Sequence, residues 1–453
     1  MSKHIIIAGL YVFILSLYAP AQNNNNNNST DGNYLTLDQC IVYGLQHKPT
    51  EIQSEIDIDI ARKTNAVNLS PWLPQVNFGA NYMHYDNLPT SFSLNSLNPT
   101  GPLLIGHPGV INSLTPQIYV TQTIFSPDVL YAANSAHLYV LQAKQSNDST
   151  KINVIATISK SFYNLLLTLE QMSVLKEDTA RLGKNLRDTY HQYIGGIVDK
   201  TDYKEAAITL NNSKAQLKQA KENVRPLYAT LKQAMGYPTD KEFNVSFDTL
   251  QMMKEIAFDT TQQLQFENRI EFQQLETAKK LQEQNVKYYK SQFLPTLTAA
   301  FYYNYQYENN KSSDLFKQAY PYSYIAATLT LPLFTGFRRV ASIQKAKLQE
   351  QRLVWAQEGL KSTIYVQYTT ALANYKSNLY ELTVSRDNVA MAKDVYNVVT
   401  LQYKQGIVAY LNVITAESNL ISSQINYINS LFQVLSSKVD LEKAMGNISY
   451  NNK

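Results

Sequence analysis

Two hydrophobic periods alternate along this chain. Between Asp128 and about Tyr193, the positions Ile155, Ile158, Phe162, Leu165, Leu169 and Met172 recur three and four apart, which is the seam of a helix packed against other helices. Tyr368, Leu372, Tyr375, Leu379, Leu382 and Val389 repeat that seam between Arg338 and about Tyr403. Neither run contains a proline, and about 65 residues make roughly 100 Å of helix. Shorter helices of about 37 residues, roughly 55 Å each, follow the glycines at 196 and 406, with seams through Leu210, Leu217, Val224 and Leu231 and through Leu420, Tyr427, Val434 and Leu441. Pro226 lies inside the first of these and is expected to bend it by removing a ladder hydrogen bond. Further helices from Pro49 to Ser70 and from Phe266 to Ser291 supply the missing length. Two half-length helices stacked end to end span one long helix, the arithmetic of a two-layer cylinder wall.

Between the helices the period drops to two. Leu297, Ala299, Phe301, Tyr303, Tyr305 and Tyr307 alternate with Thr296, Thr298, Ala300, Tyr302, Asn304 and Gln306, giving one apolar and one mainly polar face. Val76, Phe78, Ala80 and Tyr82 alternate in the same way with Gln75, Asn77, Gly79 and Asn81. Strands are expected at about 75–86, 115–125, 296–307 and 322–334. Each has the length, about 10 residues, that a tilted strand needs to cross a bilayer. Alternation alone fits the edge hairpin of a soluble sheet equally well, and the context decides for the membrane. The smallest membrane barrels need about 8 strands, so four from one chain require several chains to close one barrel.

The chain is written twice. Tyr193-Ile194-Gly195-Gly196-Ile197-Val198 and Leu231-Lys232-Gln233-Ala234-Met235-Gly236 return 210 residues later as Tyr403-Lys404-Gln405-Gly406-Ile407-Val408 and Leu441-Glu442-Lys443-Ala444-Met445-Gly446. The division that follows is a first repeat over 35–242, a linker over 243–265 and a second repeat over 266–448.

The N-terminus changes the picture of where this happens. Lys3 and His4, an apolar run from Ile5 to Tyr18, and Ala19-Pro20-Ala21 have the three parts of a secretory signal over 1–21. Residues 22–34, with the Asn23 to Asn28 run, read as a disordered tether. No run of 18 apolar residues follows, so no transmembrane helix is expected. Charged residues are only 17% of the chain while tyrosine contributes 33 residues, a polar but uncharged composition suited to large contacts. The net charge is +4, and nothing in the sequence forms a basic patch of the kind that binds nucleic acid. Cys40 has no internal partner, and the six histidines never group with cysteine or carboxylates at metal-ligand spacing. His191, near the first glycine turn, reads as a surface residue. With no H-E-x-x-H, G-x-S-x-G or P-loop pattern, the expectation is a protein without cofactor, metal or catalytic residues, and not an enzyme.

The ordered set of motifs resembles the outer membrane efflux protein (TolC-like) family from Leu35 to Gly446. It comprises Leu35-Thr36-Leu37-Asp38, the Leu-Pro strand entries at 73 and 294, Leu331-Pro332-Leu333-Phe334-Thr335-Gly336-Phe337-Arg338-Arg339, and the run from Gly406 to Glu417. The resemblance implies a mainly α fold with membrane β: a coiled-coil helical tunnel below a homotrimeric barrel of about twelve strands, four from each chain, girdled by an equatorial belt. It implies the outer membrane exit duct of a tripartite efflux or type I secretion system, with passive, gated export of drugs, toxic compounds or proteins. The implied partners are two further copies, outer membrane lipid, a periplasmic adaptor and an inner-membrane pump of RND or ABC type. The turns at Gly195, Gly196, Ile197 and Val198 and at Gly406, Ile407 and Val408 would form the tip on which the adaptor docks. The periplasmic gate would lie beside them at Asp202, Asp199, Tyr403 and Asn412. Family members carry acids where this chain has Asn412 and Thr415, so the implied cation filter rests on Asp202 with Asp199. Tyr403 matches a tyrosine that latches the closed tip, and reads equally well as a seam residue between helices. The competing reading is a periplasmic coiled-coil adaptor, against which the duplicated strand pairs argue.

Overall fold

The computed structural model describes residues 34–93, 104–107, 109–246 and 256–449. The expected signal, nearly all of the tether and part of the linker lie outside the described residues. Tyr34, expected to end the tether, instead begins strand β1 (Tyr34–Leu35), which runs parallel to β6 (Asn244–Val245) in the linker.

Two helices run the length of the helical body, α3 (Pro127–Ile194, 68 residues) and α6 (Arg338–Lys404, 67 residues). Each returns through a short turn into a helix of 36 residues, α4 (Lys200–Met235) and α7 (Tyr410–Met445). The helix α4 continues through Pro226 without a break. Above these lie α1 (Leu37–His47), α2 (Pro49–Leu69) and α5 (Ile270–Ser291). A capping box starts α1, with the Thr36 side chain and the Gln39 side chain each accepting from the other's backbone N–H. The helix expected from Phe266 starts instead at Ile270, after a single 3₁₀ turn over Phe266–Asn268.

The stacking of half-length helices is visible at two glycines related by the repeat. Gly236 and Gly446 end α4 and α7 in the left-handed region, at φ 68° and 74°. A Cβ on Gly236 would sit 2.8 Å from the His47 carbonyl oxygen, and one on Gly446 would sit 2.6 Å from that of Asn268. Each glycine therefore lets one short helix abut the start of the next, where only a hydrogen fits. At the second junction the buried Arg269 donates to the Ala444 carbonyl at the end of α7 and to Gln367 on α6, and pairs with Glu271. The largest apolar core gathers at this level, around Ile158, Phe162, Leu165 and Leu166 of α3, Leu231 and Met235 of α4, and Val434, Leu435 and Leu441 of α7. Cys40 is fully buried in it, and burial pushes its thiol up to about 12. An 18-residue window of α3 reaches a mean hydropathy of 1.2, but 56% of it is buried among its neighbours, so that apolar content serves packing.

Four long strands form one antiparallel sheet in the order β2 (Gln75–His84), β5 (Asn112–Phe125), β7 (Thr296–Asn309), β8 (Ala319–Thr330). Short strands β3 (Ser91–Ser93) and β4 (Leu104–Gly106) pair in the long first loop. The returning strands begin three residues earlier than expected, and β8 ends at Thr330 rather than Phe334. Pro332 has no N–H to give a ladder. Its carbonyl instead takes a hydrogen bond from Arg339, which also donates to Gln292 O and lies 4.6 Å over the Phe293 ring. A buried arginine thus fastens the exit of the sheet to the start of α6.

The sheet has two chemically distinct faces. Val76, Val120, Phe301 and Ile325 lie in register across the four strands on one face; Asn77, Tyr119, Tyr302 and Tyr324 lie in register on the other. On the second face Tyr302 stacks between Tyr119 at 5.7 Å and Tyr324 at 4.8 Å. Among the described residues, the outer edges of β2 and β8 pair with nothing.

Candidate functional site

Both helix turns at the far end of the body have the same construction. Gly196 and Gly406 each take φ 72°, and the amides of Ile197 and Ile407 donate back to Gln192 O (2.8 Å) and Gln402 O (2.9 Å). These are glycine-terminated helix ends with their last carbonyls satisfied. Gly195 and Gly196 and their counterpart Gly406 leave backbone exposed, while Ile197 and Ile407 project apolar side chains that are 75% and 65% exposed. Val198 and Val408 are half-buried behind them.

Asp199 and Ala409 are the N-caps of α4 and α7, and Asp199 makes no side-chain capping bond. Asp202 and Asn412 are equivalent third residues of the two helices, their amides bonded to Asp199 O (3.2 Å) and Ala409 O (3.0 Å). Asp202 is half-buried, whereas Asn412 and Thr415 are exposed. Tyr403 lies between the two hairpins. Its hydroxyl donates to Gln192 Oε1 at 2.7 Å, and its ring packs 5.2 Å from that of Tyr410. Burial, and after it the Asp202 carboxylate, hold the Tyr403 phenol above its ordinary range. The structure therefore brings Tyr403 and Asp202 close together, while Asp199 and Asn412 stand at the surface of the tip. On the α3–α4 side Tyr203 packs against Tyr193 at 4.9 Å and Tyr190 at 5.7 Å.

The most heavily buried polar group near the tip carried no role in the sequence reading. Glu417 of α7 is fully buried and accepts from Arg181 Nε at 2.8 Å and Asn185 Nδ2 at 3.3 Å. Arg181 also pairs with the buried Asp178 at 2.5 Å and lies 5.2 Å over the Tyr396 ring of α6. Two carboxylates thus share one guanidinium, and Asp178 Oδ2 has no hydrogen-bond partner among the described residues. Burial raises the carboxyls of both Asp178 and Glu417 above their ordinary range. The signal was available: Glu417 lies three residues before the seam residue Leu420, and an acid on a buried helix face needs a cation opposite it.

No cluster of histidine, cysteine and carboxylates fit for a metal occurs among the described residues. The outer membrane efflux protein family model matches residues 45–237 and 262–447. Three solved structures share the fold at low identity. They are the outer membrane protein VceC of Vibrio cholerae (16% identity, TM-score 0.68, 90% of this chain and 96% of that one), the CmeC outer membrane channel of Campylobacter jejuni (15%, 0.69, 97% and 95%) and the MtrE outer membrane channel of Neisseria gonorrhoeae (18%, 0.68, 90% and 88%). No curated protein sequence matches significantly.

Proposed function

Because this chain belongs to the outer membrane efflux protein family, we propose that it is one third of a gated exit duct through which an inner-membrane pump and a periplasmic adaptor export small molecules or proteins. The family is one of outer membrane channels rather than enzymes, and its members carry a helical tunnel into the periplasm. The observation that carries the proposal is an unfinished sheet standing on an unfinished helical wall. Four strands with two open edges cannot close, and an open edge inside a bilayer leaves its polar groups without partners. The row Val76, Val120, Phe301 and Ile325 suits lipid, and the row Asn77, Tyr119, Tyr302 and Tyr324 suits an aqueous lumen.

The helical wall is incomplete in the same sense. Trp355, Met391, Val395 and Val398 of α6 and Ile52, Ile56, Ile60 and Val67 of α2 are exposed apolar residues at helical spacing. They sit on the two outermost helix columns of the chain, where the next copy would cover them. Three copies joined edge to edge give about twelve strands around one lumen.

At the tip, the Tyr403 to Gln192 bond ties the α6–α7 hairpin to the α3–α4 hairpin. In a closed trimer Asp202 would be repeated three times around the axis, concentrating negative charge at a narrow constriction. The exposed isoleucines 197 and 407 would receive the adaptor. Two measurements test this. Photo-crosslinking residues in place of Ile197 and Ile407 are expected to capture a periplasmic adaptor in living cells. In planar bilayers Asp202→Ala is expected to lower cation selectivity, and unchanged selectivity would remove Asp202 from the constriction.

A further inference from the structure

Closing the barrel and gating the tip leave one feature of the sheet without a use, the tyrosines on its lumen face. Tyr302 of β7 stacks between Tyr119 of β5 and Tyr324 of β8, with ring planes within 20° and 18°. Because one face of Tyr324 rests on Tyr302, its other face is turned toward the open edge of β8. Tyr322, two residues away on the same side of the strand, holds its ring within 7° of the Tyr324 plane at 6.4 Å. Tyr320 extends the column, and all three rings are exposed. Four residues at about 3.4 Å each give a column of phenols roughly 14 Å long.

The trimer decides what faces this column. In a closed ring of copies the β8 edge of one chain joins the β2 edge of the next. The lumen row of β2 is Gln75, Asn77, Gly79 and Asn81. Whatever the register between copies, that row has no aromatic ring to cover the free face of Tyr324. Each boundary is therefore a cleft with a phenol wall and an amide wall. Among the lumen positions of the four strands, Glu308 at the outer end of β7 alone is charged, and Gln306 donates to it. Asn304, in register with Tyr322, is buried on this face, and its Nδ2 has no hydrogen-bond partner among the described residues. A buried donor left unpaired costs free energy until an acceptor reaches it.

We infer that these boundary clefts bind neutral oligosaccharide as it passes through the barrel. The side chains present decide for that class. An organic ion finds no counter-charge along the tyrosine column, because the one lumen carboxylate lies beyond it at the outer end. A bare aromatic solute stacks on the phenols and leaves the amides opposite without a use. A sugar ring uses both walls: its C–H face lies on a phenol, and its hydroxyls, each a donor and an acceptor, meet amides and phenol hydroxyls that also donate and accept. A hydroxyl reaching between Tyr302 and Tyr322 supplies the acceptor that Asn304 lacks. Tyrosines at every second residue let a linear chain pass from ring to ring without leaving an aromatic surface. The stack of Tyr119, Tyr302 and Tyr324 holds the first platform in place before any sugar arrives, which lowers the cost of ordering it.

This inference names a substrate class for the exit duct and rests on that reading, and the two fail separately. In planar bilayers, maltohexaose added on the barrel side is expected to interrupt single-channel current with a saturable concentration dependence. A neutral polyethylene glycol of the same mass is expected to lower the current without saturating. Tyr322→Ala with Tyr324→Ala is expected to weaken the sugar block about tenfold, the loss of roughly 1.4 kcal/mol of stacking. Tyr322→Phe with Tyr324→Phe keeps the rings and is expected to retain most of the block, and both variants are expected to run as trimers on gel filtration. A maltohexaose block no stronger than that of the polymer, or one unchanged by the alanine pair, would overturn the inference. So would a block by the planar cation ethidium that the alanine pair relieves, with none by maltohexaose. The faces are checked independently, since the native Cys40 is fully buried. In intact outer membranes Tyr322→Cys is expected to react with a charged maleimide and Ile325→Cys to resist it. The reverse pattern would instead count against the exit-duct reading.

Discussion

The Tyr403 hydroxyl donates to Gln192 Oε1 at 2.7 Å, joining the last turn of α6 to the last turn of α3. It adds to an apolar contact between the same two hairpins, in which Leu186 and Ala206 pack with Tyr396, Tyr410 and Val413, and it sits beside Asp202 in a half-buried setting. A bond of this kind contributes about 1 kcal/mol. Tyr403→Phe keeps the ring on Tyr410 and removes only the donor. It is expected to leave thermal stability nearly unchanged while raising the open fraction of single channels about fivefold, read in planar bilayers. An unchanged open fraction would make Tyr403 a packing residue only.

The group formed by Arg181, Asp178 and Glu417 predicts a different response. Arg181→Ala strands two buried carboxylates and is expected to cost about 3 to 5 kcal/mol, read as a lower midpoint in thermal or denaturant unfolding. Arg181→Lys restores the charge without the fork and is expected to recover only part of it.

The same group sets a pH dependence. Burial raises the carboxyls of Asp178 and Glu417, so between the unfolded and folded pKa values the folded state holds more protons. Their contribution is therefore present in full below the ordinary carboxylate range and is lost as pH rises through the elevated folded values. Asp178→Asn removes one of these titrations, and its unfolding midpoint is expected to fall less than that of the wild type between acid and neutral pH. Parallel curves would show that Asp178 does not titrate in this window. The charged and titratable groups facing it are Arg181 and Glu177 of α3 and Glu417 of α7, with Tyr396 of α6 stacked on Arg181.

Glycines with nearly the same φ should respond unequally to alanine. At Gly406 an added Cβ meets nothing within 4 Å, so Gly406→Ala pays only for the left-handed backbone, about 1 kcal/mol. At Gly236 the same backbone term is joined by contacts of 2.8 Å with His47 O and Lys48 Cα. Gly236→Ala is expected to destabilise by at least about 1 kcal/mol more than Gly406→Ala, measured by thermal unfolding. Equal losses would mean that the α1–α2 junction yields freely.

Much of this arrangement was legible in the sequence because it is built from repeated signals. The seam from Ile155 to Met172 and its counterpart from Tyr368 to Val389 fixed helix boundaries to within one or two residues at the tip. Alternation from Leu297 to Tyr307 identified the strand and its two faces. What escaped depends on single residues with a partner far along the chain. Arg269 and Arg339 carried no role in the sequence, yet they bind carbonyls at Ala444 and Pro332 at the two ends of the second repeat's helices. Glu417 lay in a motif already noted, but its partner Arg181 is 236 residues earlier. No local pattern encodes such a pairing. The end of β8 was misplaced because Leu331, Leu333 and Phe334 continue an apolar run after Pro332 has stopped the ladder.

The central claim is that three copies complete one barrel and one tunnel. Native mass spectrometry of the protein extracted from outer membranes in mild detergent tests it most directly. The account predicts one dominant species at three times the mass of the mature chain, persisting when detergent is exchanged. A dominant monomer or dimer that still resists extraction from the membrane by carbonate would contradict it, because the open edges of β2 and β8 would then have to be satisfied in some other way.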